Sequence, residues 1–228
     1  MIVCIGILMF HLSKSRNFQV FWWLINNIQT DQNIIALTFD DGPTQNTYEI
    51  LQTLRKHHIQ ATFFVIWEEI IKDPKLIKSI IEEGHQVGNH SYTHQRMVLK
   101  SPHFVKQEIT KTDQLIKEAW FTGDIHFRTP FGKRLFITPY ILRSFKKANI
   151  FFDIEPETFV SGSWNILSYT LEHTHSWSII LLHPMYWWKE NQSLQILDTL
   201  IDWLKKRGFS FVTIDQLLEK TATSISFW

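Results

Sequence analysis

Two adjacent carboxylates, Asp40 and Asp41, stand where the apolar run Ile34-Ile35-Ala36-Leu37 meets Gly42-Pro43. One carboxylate of such a pair can bind a cation while the other takes a proton from a water that the cation has acidified. The run itself, bounded by Gly-Pro, reads as a buried strand ending in a turn. Neighbouring side chains on a regular strand point to opposite faces. Both aspartates can therefore face one site only if the strand ends or bends there, and Gly42 with Pro43 supplies the break. Asp, Gly and Pro are also ordinary turn formers, so this stretch alone fits a plain turn equally well.

Further along, Asn89-His90-Ser91-Tyr92-Thr93-His94 carries two histidines four residues apart. On a helical turn that spacing places both imidazoles on one face, where they can grip one ion. The residues between them are Ser, Tyr and Thr, so the Glu that serves as base in zinc proteases has no counterpart here. A catalytic zinc keeps three protein ligands and one open position. The aspartate pair offers the third ligand and leaves one carboxylate over as base; spacing does not say which is which. With 11 His in the chain, a chance pair would be no surprise. Arg128, in Phe127-Arg128-Thr129-Pro130-Phe131-Gly132, sits at a strand end before a sharp loop. His183 ends the buried run Ile179-Ile180-Leu181-Leu182, where an imidazole could protonate a leaving amine. Taken singly, Arg128 reads as a surface ion pair and His183 as a satisfied core histidine.

The elements that must position these groups follow from the hydrophobic pattern. The chain has 228 residues, 44% hydrophobic, enough for one substantial core. A net charge of +1 without a basic tract gives no footprint for nucleic acid. Cys4 is the only cysteine, which excludes an intrachain disulfide and a cysteine-built metal site. Strand-like runs at Ile34–Phe39, Ala61–Ile66, Gln86–Gly88, Phe127, Ile150–Ile154, Ser178–Leu182 and Phe209–Thr213 alternate with amphipathic stretches. Helices are predicted over Thr47–His57, Pro74–Glu83, Ser101–Trp120, Thr138–Lys147, Trp164–His173, Asn191–Lys206 and Asp215–Lys220. About seven strand–helix units in one domain predict an α/β fold, an irregular (β/α) barrel, with a catalytic domain over residues 31–221. Residues 1–30 form a separate N-terminal segment. Its apolar start is too short to cross a bilayer, which takes roughly 20 apolar residues. It reads either as a docked helix or as the remnant of a membrane anchor, and composition favours the anchor remnant.

In this order, TFDDGP at Thr38–Pro43, HSYTH at His90–His94, RTPFG at Arg128–Gly132 and LLH at Leu181–His183 resemble the polysaccharide deacetylase family, carbohydrate esterase family 4. The resemblance spans Ile34 to Leu218. It implies Asp40 as the base, and Asp41, His90 and His94 as ligands of one divalent ion, with zinc expected and other divalent transition metals also admitted. It implies Arg128 as the residue holding Asp40, the Phe131 amide facing the oxyanion, Leu181 lining the acetyl pocket and His183 as the acid. The implied activity is metal-dependent N-deacetylation of an N-acetylglucosamine-containing glycan of chitin or peptidoglycan type. An acetylated glycan is then the substrate, and the setting extracellular or anchored at the cell surface through the N-terminus. One motif departs from the family: Thr158-Phe159 stands where Asp-Trp supports the acid. A neutral Thr cannot stabilise an imidazolium, so Asp153, Glu155 or Glu157 is expected to approach His183. The same gap favours an O-acetyl ester as alternative substrate; a catalytically idle glycan-binding protein is the further alternative. Trp187 and Trp188 could form a sugar-stacking rim or pack in the core.

Overall fold

The computed structural model describes residues 2–28, 31–185 and 192–222. The apolar run becomes β2 (Ile34–Gly42), buried at every residue, as a central parallel strand covered on both faces must be. Its alternation sorts side chains between two cores. Ile35, Leu37 and Phe39 join the larger cluster, packed against helices. Ile34 and Ala36 join the smaller one inside the sheet's curve, and by the same period of two Thr38 and Asp40 follow them inward.

Around β2 the strands are parallel. β3 (Thr62–Val65) pairs with β2 and then with β4 (Gln86–Asn89). β6 (Ile179–Leu182) pairs with β2 from Ala36 to Phe39, and β7 (Ser210–Val212) with its first residues. The short β1 (Leu24–Ile25) and β5 (Asn149–Ile150) form a further parallel pair. Single parallel bridges join Asn89 to Phe127, Phe127 to Asn149, and Ile154 to Ile180. The pairing thus continues from β4 round to β6 through residues 127 and 149–154, in keeping with an irregular barrel.

The helices are α1 (Ile2–Ser13), α2 (Thr47–Lys56), α3 (Trp67–Lys72), α4 (Pro74–Glu82), α5 (Pro102–Glu118), α6 (Ile137–Ser144), α7 (Ser163–His173), α8 (Gln192–Lys206) and α9 (Ile214–Ala222). Their starts follow local chemistry: Ser101 and Asp73 accept the amides of Phe104 and Lys75, each with Pro next in sequence. The sequence pattern missed α3 and β1. A six-residue helix is too short for a period of 3.6 to register, and a two-residue strand carries no alternation at all.

The N-terminal segment is packed on this frame at its C-terminal part. Trp22 Nε1 donates to the Lys147 carbonyl at 2.5 Å, and the buried Arg134 donates to the carbonyls of Ser15 and Phe18 at 2.7 and 3.1 Å. In α1 itself Ile7, Leu8 and Phe10 are exposed. Among the described residues no helix is long and apolar enough to cross a membrane.

Candidate active site

The strand carrying the aspartates does not stop before them. β2 runs through Asp40 and Asp41 to Gly42, and its register to β3 shifts between Phe39 and Gly42. Asp41 sits in this irregularity at φ 66°, a left-handed conformation that Asp tolerates better than most side chains. A regular strand would have turned Asp41 away from Asp40. The bulge, rather than a turn beginning at Gly42, brings both carboxylates to one site.

The two histidines are likewise brought together without a helix. Residues 90–96 form a loop after β4, with Ser91 at φ 79° and His94 at φ 52°; the expected helical turn is absent because the loop's amides are satisfied by side chains instead. Asn89 Oδ1 accepts the Ser91 amide at 2.7 Å, and Ser91 Oγ accepts the His94 amide at 3.0 Å. Glu108, buried on α5, accepts the Tyr92 and Thr93 amides and the Thr93 hydroxyl at 3.0, 2.9 and 2.8 Å. Each of these bonds competes directly with helical pairing. Neither Asn89 nor Glu108 was singled out from the sequence, although a Glu on the apolar face Val105–Ile109–Thr112–Ile116 was a readable signal.

Asp41, His90 and His94 offer three ligand atoms within 4.8 Å of one another. His94 Nε2 lies 3.0 Å and His90 Nε2 3.5 Å from Asp41 Oδ1, with the two Nε2 atoms 3.2 Å apart. His90 Nδ1 is 2.8 Å from the Arg128 carbonyl, which fixes the tautomer with Nε2 free for an ion. Asp41 Oδ1 is buried and accepts no well-directed hydrogen bond, an atom a cation would satisfy. One carboxylate and two imidazoles leaving an open side suit a divalent transition metal, so these residues fit the implied ion. Burial alone would raise the Asp41 pKa; the close approach of His94 and the charges of His90, His94 and His183 outweigh it and hold the carboxyl well below its usual range. Burial dominates at His90 and lowers its pKa, keeping the ring in the neutral form a ligand needs.

Asp40 is held from behind. Arg128 Nη1 donates to Asp40 Oδ1 at 2.7 Å and to Thr38 Oγ1 at 2.8 Å. Its Nε and Nη2 donate to the carbonyls of Ile150 and Phe151 at 3.1 and 3.2 Å. The guanidinium lies over the Phe64 ring, 4.0 Å from its centroid. Phe64 owes its place to Gly88 across the strand pair, where a Cβ would come within 2.5 Å of the ring. A single glycine thereby supports the ring, the arginine and the aspartate in turn.

His183, immediately after β6, meets the opposite arrangement. Glu157 Oε2 lies 2.7 Å from His183 Nδ1, and Oε1 accepts the His183 amide at 2.8 Å. Ser193 donates to the same carboxylate. Burial would depress the imidazole, but the charge and hydrogen bond of Glu157, with help from Asp41 and Asp40, push its pKa up to about 10. Of the three candidate carboxylates, Glu157 is the one that reaches. Asp153 accepts the Ile179 amide at 2.8 Å and faces His175 at 3.1 Å; Glu155 pairs with Arg16 and accepts the Thr158 hydroxyl. Glu157 precedes Thr158 in a 3-10 turn at Pro156–Thr158, and its extra methylene makes up the distance from one position earlier.

Asp40, Asp41, His90 and His94 line a cavity of about 450 Å³ together with Phe131, Leu181 and His183. Arg128 is buried behind them. Phe131 stands at φ 55° in the turn Pro130–Gly132, with its ring 4.6 Å from that of His94. Leu181 shares the inner cluster with Phe152. Trp187 and Trp188 lie outside the described residues. Lys14, Arg16, Arg96 and Lys133, which the sequence did not flag, also line the cavity.

A family model described as polysaccharide deacetylase matches residues 27–153. Among curated proteins, the chain is 32% identical over 185 residues to the peptidoglycan-N-acetylglucosamine deacetylase PgdA of Listeria monocytogenes, covering 80% of this chain and 38% of that protein. It is 30% identical over 206 residues to a peptidoglycan-N-acetylglucosamine deacetylase of Bacillus cereus, covering 87% of this chain and 92% of that one. Among solved structures, the Bc1960 peptidoglycan N-acetylglucosamine deacetylase in complex with 4-naphthalen-1-yl-N-oxidanyl-benzamide superposes at TM-score 0.80 with 26% identity, covering 85% of this chain and 92% of that one. A pseudoenzyme of the same carbohydrate esterase family, from Bacillus anthracis, superposes at TM-score 0.78 with 25% identity, covering 87% and 69%.

Proposed function

The chain belongs to the polysaccharide deacetylase family, and from that premise we propose that it is a metal-dependent hydrolase removing N-acetyl groups from an N-acetylglucosamine-containing glycan of peptidoglycan or chitin type. The observation that carries this reading is the juxtaposition of three convergent ligand atoms on Asp41, His90 and His94 with two separately supported proton-transfer groups, Asp40 and His183. A divalent ion held by the three ligands supplies polarisation of the acyl carbonyl and acidification of water. Asp40, fixed by Arg128, takes a proton from the attacking water. The Phe131 amide donates to the oxygen on which negative charge develops. His183, protonated beside Glu157, gives its proton to the departing amine nitrogen as the C–N bond breaks. Leu181 adds an apolar wall for the acetyl methyl.

The ester alternative drew on the lack of a carboxylate beside His183. Glu157 supplies one, so an amine leaving group, which needs the proton more than an alkoxide does, is well served. The idle glycan-binding alternative has no use for an acid and a base each provided with its own buried partner. The setting that accompanies the proposed substrate is the cell wall, outside the membrane.

Incubating zinc-loaded protein with N-acetylglucosamine oligomers, with peptidoglycan fragments and with O-acetylated xylan, and measuring acetate, tests this. Acetate from the amide substrates is expected. Release from the ester alone would replace the proposed reaction, and release from none would leave the idle reading.

A further inference from the structure

The mouth of the cavity is basic, and half of that charge comes from outside the barrel. Lys14 and Arg16 follow α1 directly, whereas Arg96 belongs to the histidine loop and Lys133 to the loop after Gly132; all four line the cavity that holds the candidate metal ligands. The N-terminal pair is anchored. Arg134 accepts no freedom here: its amide donates to the Ser13 carbonyl at 2.9 Å and its Nη2 to the Ser15 carbonyl at 2.7 Å, while its guanidinium lies over Phe151, 4.2 Å from the centroid. Arg16 pairs with Glu155 and packs between the faces of Phe152 and Phe159, 4.9 and 5.5 Å from their centroids.

The other three cations have no such neutralisation. Among the described residues, Lys14, Arg96 and Lys133 have no acidic group within ion-pair distance. They rest on aromatic faces: Lys14 and Lys133 over Phe10 at 4.4 and 5.6 Å, and Arg96 over Phe131 at 5.2 Å. They also feel one another, since burial together with the charges of Lys14, Arg96 and Arg16 lowers the Lys133 pKa. The chain as a whole carries only +1, so this is a local concentration rather than a basic protein. Like charges gathered at a cleft repel one another and draw an anion to it.

We propose that Lys14, Arg96 and Lys133, beside the Arg16–Glu155 pair, select a glycan bearing a carboxylate on the deacetylated sugar or on its neighbour, so that the substrate is an acidic N-acetylated polysaccharide rather than a neutral one. The proposal rests on the deacetylase reading for the site it addresses. The cations touch substrate substituents away from the acetamide; they determine specificity and take no part in the proton transfers.

The test compares three tetrasaccharides on zinc-loaded full-length protein. One is neutral and built of N-acetylglucosamine. The second alternates N-acetylglucosamine with N-acetylmuramic acid, whose lactyl group carries a carboxylate. The third is the second with its carboxylates converted to methyl esters. At low salt, kcat/KM for the acid should exceed that for its ester by about tenfold, the size expected of a few partly exposed ion pairs. The difference should sit in KM, and should collapse at about 0.5 M salt, where screening shortens to a few Å. In the double variant Lys14→Ala, Lys133→Ala the acid-to-ester ratio should fall below about threefold. Equal handling of acid and ester by the wild type, or an unchanged ratio in the double variant, would overturn the proposal. Calorimetric titration of the same sugars separates this from the reaction itself. Tighter binding of the acid that depends on Lys14 and Lys133, with no acetate released from any sugar, keeps the anionic selectivity and removes the deacetylase reading. No measurable binding of either the acid or the ester, with no turnover, overturns the selectivity as well.

Discussion

The two ends of the site use the same physics with the signs exchanged. At one end a carboxylate, Asp40, is backed by a buried cation; at the other an imidazole, His183, is backed by a buried carboxylate. The supports differ in kind. Arg128 is held by four hydrogen bonds and an aromatic face, all from strand residues or strand ends of the barrel. Glu157 stands in a single 3-10 turn between β5 and α7, and takes its bonds from His183 and Ser193. A group fixed by the barrel's own pairing is hard to replace from elsewhere in the chain. A group on a turn can be supplied from the next position along, and here it is.

That contrast orders the expected effects of substitution. The largest falls at the shared centre. Asp41→Asn should lose both bound metal and turnover, the latter by more than about a thousandfold, whereas Asp40→Asn should lose turnover with metal content, read by elemental analysis, nearly intact. Equal metal loss in the two variants would erase the proposed division between base and ligand.

Next comes the barrel-held support. Arg128→Met should destabilise the protein by about 3–5 kcal/mol, because it leaves Asp40 buried without its cation, and should abolish turnover as well. Denaturant unfolding against the wild type measures the first effect. A loss under about 1 kcal/mol would mean that the Arg128–Asp40 pair is not the rigid end of the comparison.

Glu157→Gln should cost less and act through pH. With Glu157 in place the His183 pKa is pushed up to about 10, so the acid stays protonated through neutral pH and activity falls only as pH rises through that value. An ion on Asp41 cancels one of the raising charges, so the limb of the metal-loaded enzyme should lie somewhat below it. Without the carboxylate the two largest raising influences are gone, and burial, the largest single one, pulls the pKa down. The alkaline limb should then move down by several pH units, with about 10–100-fold lost at pH 8. The raised pKa also carries a stability term: protonated His183 contributes fully from pH 6.5 down to the acid range where Glu157 itself takes up a proton, and the contribution is lost as pH rises through about 10. An alkaline limb that stays put in Glu157→Gln would show that His183 is not the acid.

The smallest effect is expected at the departed motif. Thr158→Asp restores the carboxylate that the family resemblance calls for, but Glu157 already occupies His183 Nδ1. Turnover should change by less than about threefold, and the alkaline limb should hardly move. A clear rise in rate would mean that Glu157 is an inferior substitute.

Much of this was legible without coordinates. Buried strands advertise themselves as continuous apolar runs and amphipathic helices by their period, so seven strand regions and seven helices could be placed from the residues alone. The ordered motifs pointed to Asp40, Asp41, His90, His94, Arg128 and His183 because a parallel fold gathers its strand ends at one face. Tertiary structure alone decided the rest. Nothing local says that Asp41 adopts φ 66° in a bulge, or that the His90–His94 segment gives up a helical turn for bonds to Asn89 and to Glu108, 14 or more positions away. Nor could sequence choose among Asp153, Glu155 and Glu157, which stand two positions apart along one short segment, or bring Lys14 and Arg16 to a cavity built from strands far along the chain. Residue type and period are properties of a short segment. Which carboxylate meets which cation is settled by where distant segments pack, and that information lies in the fold.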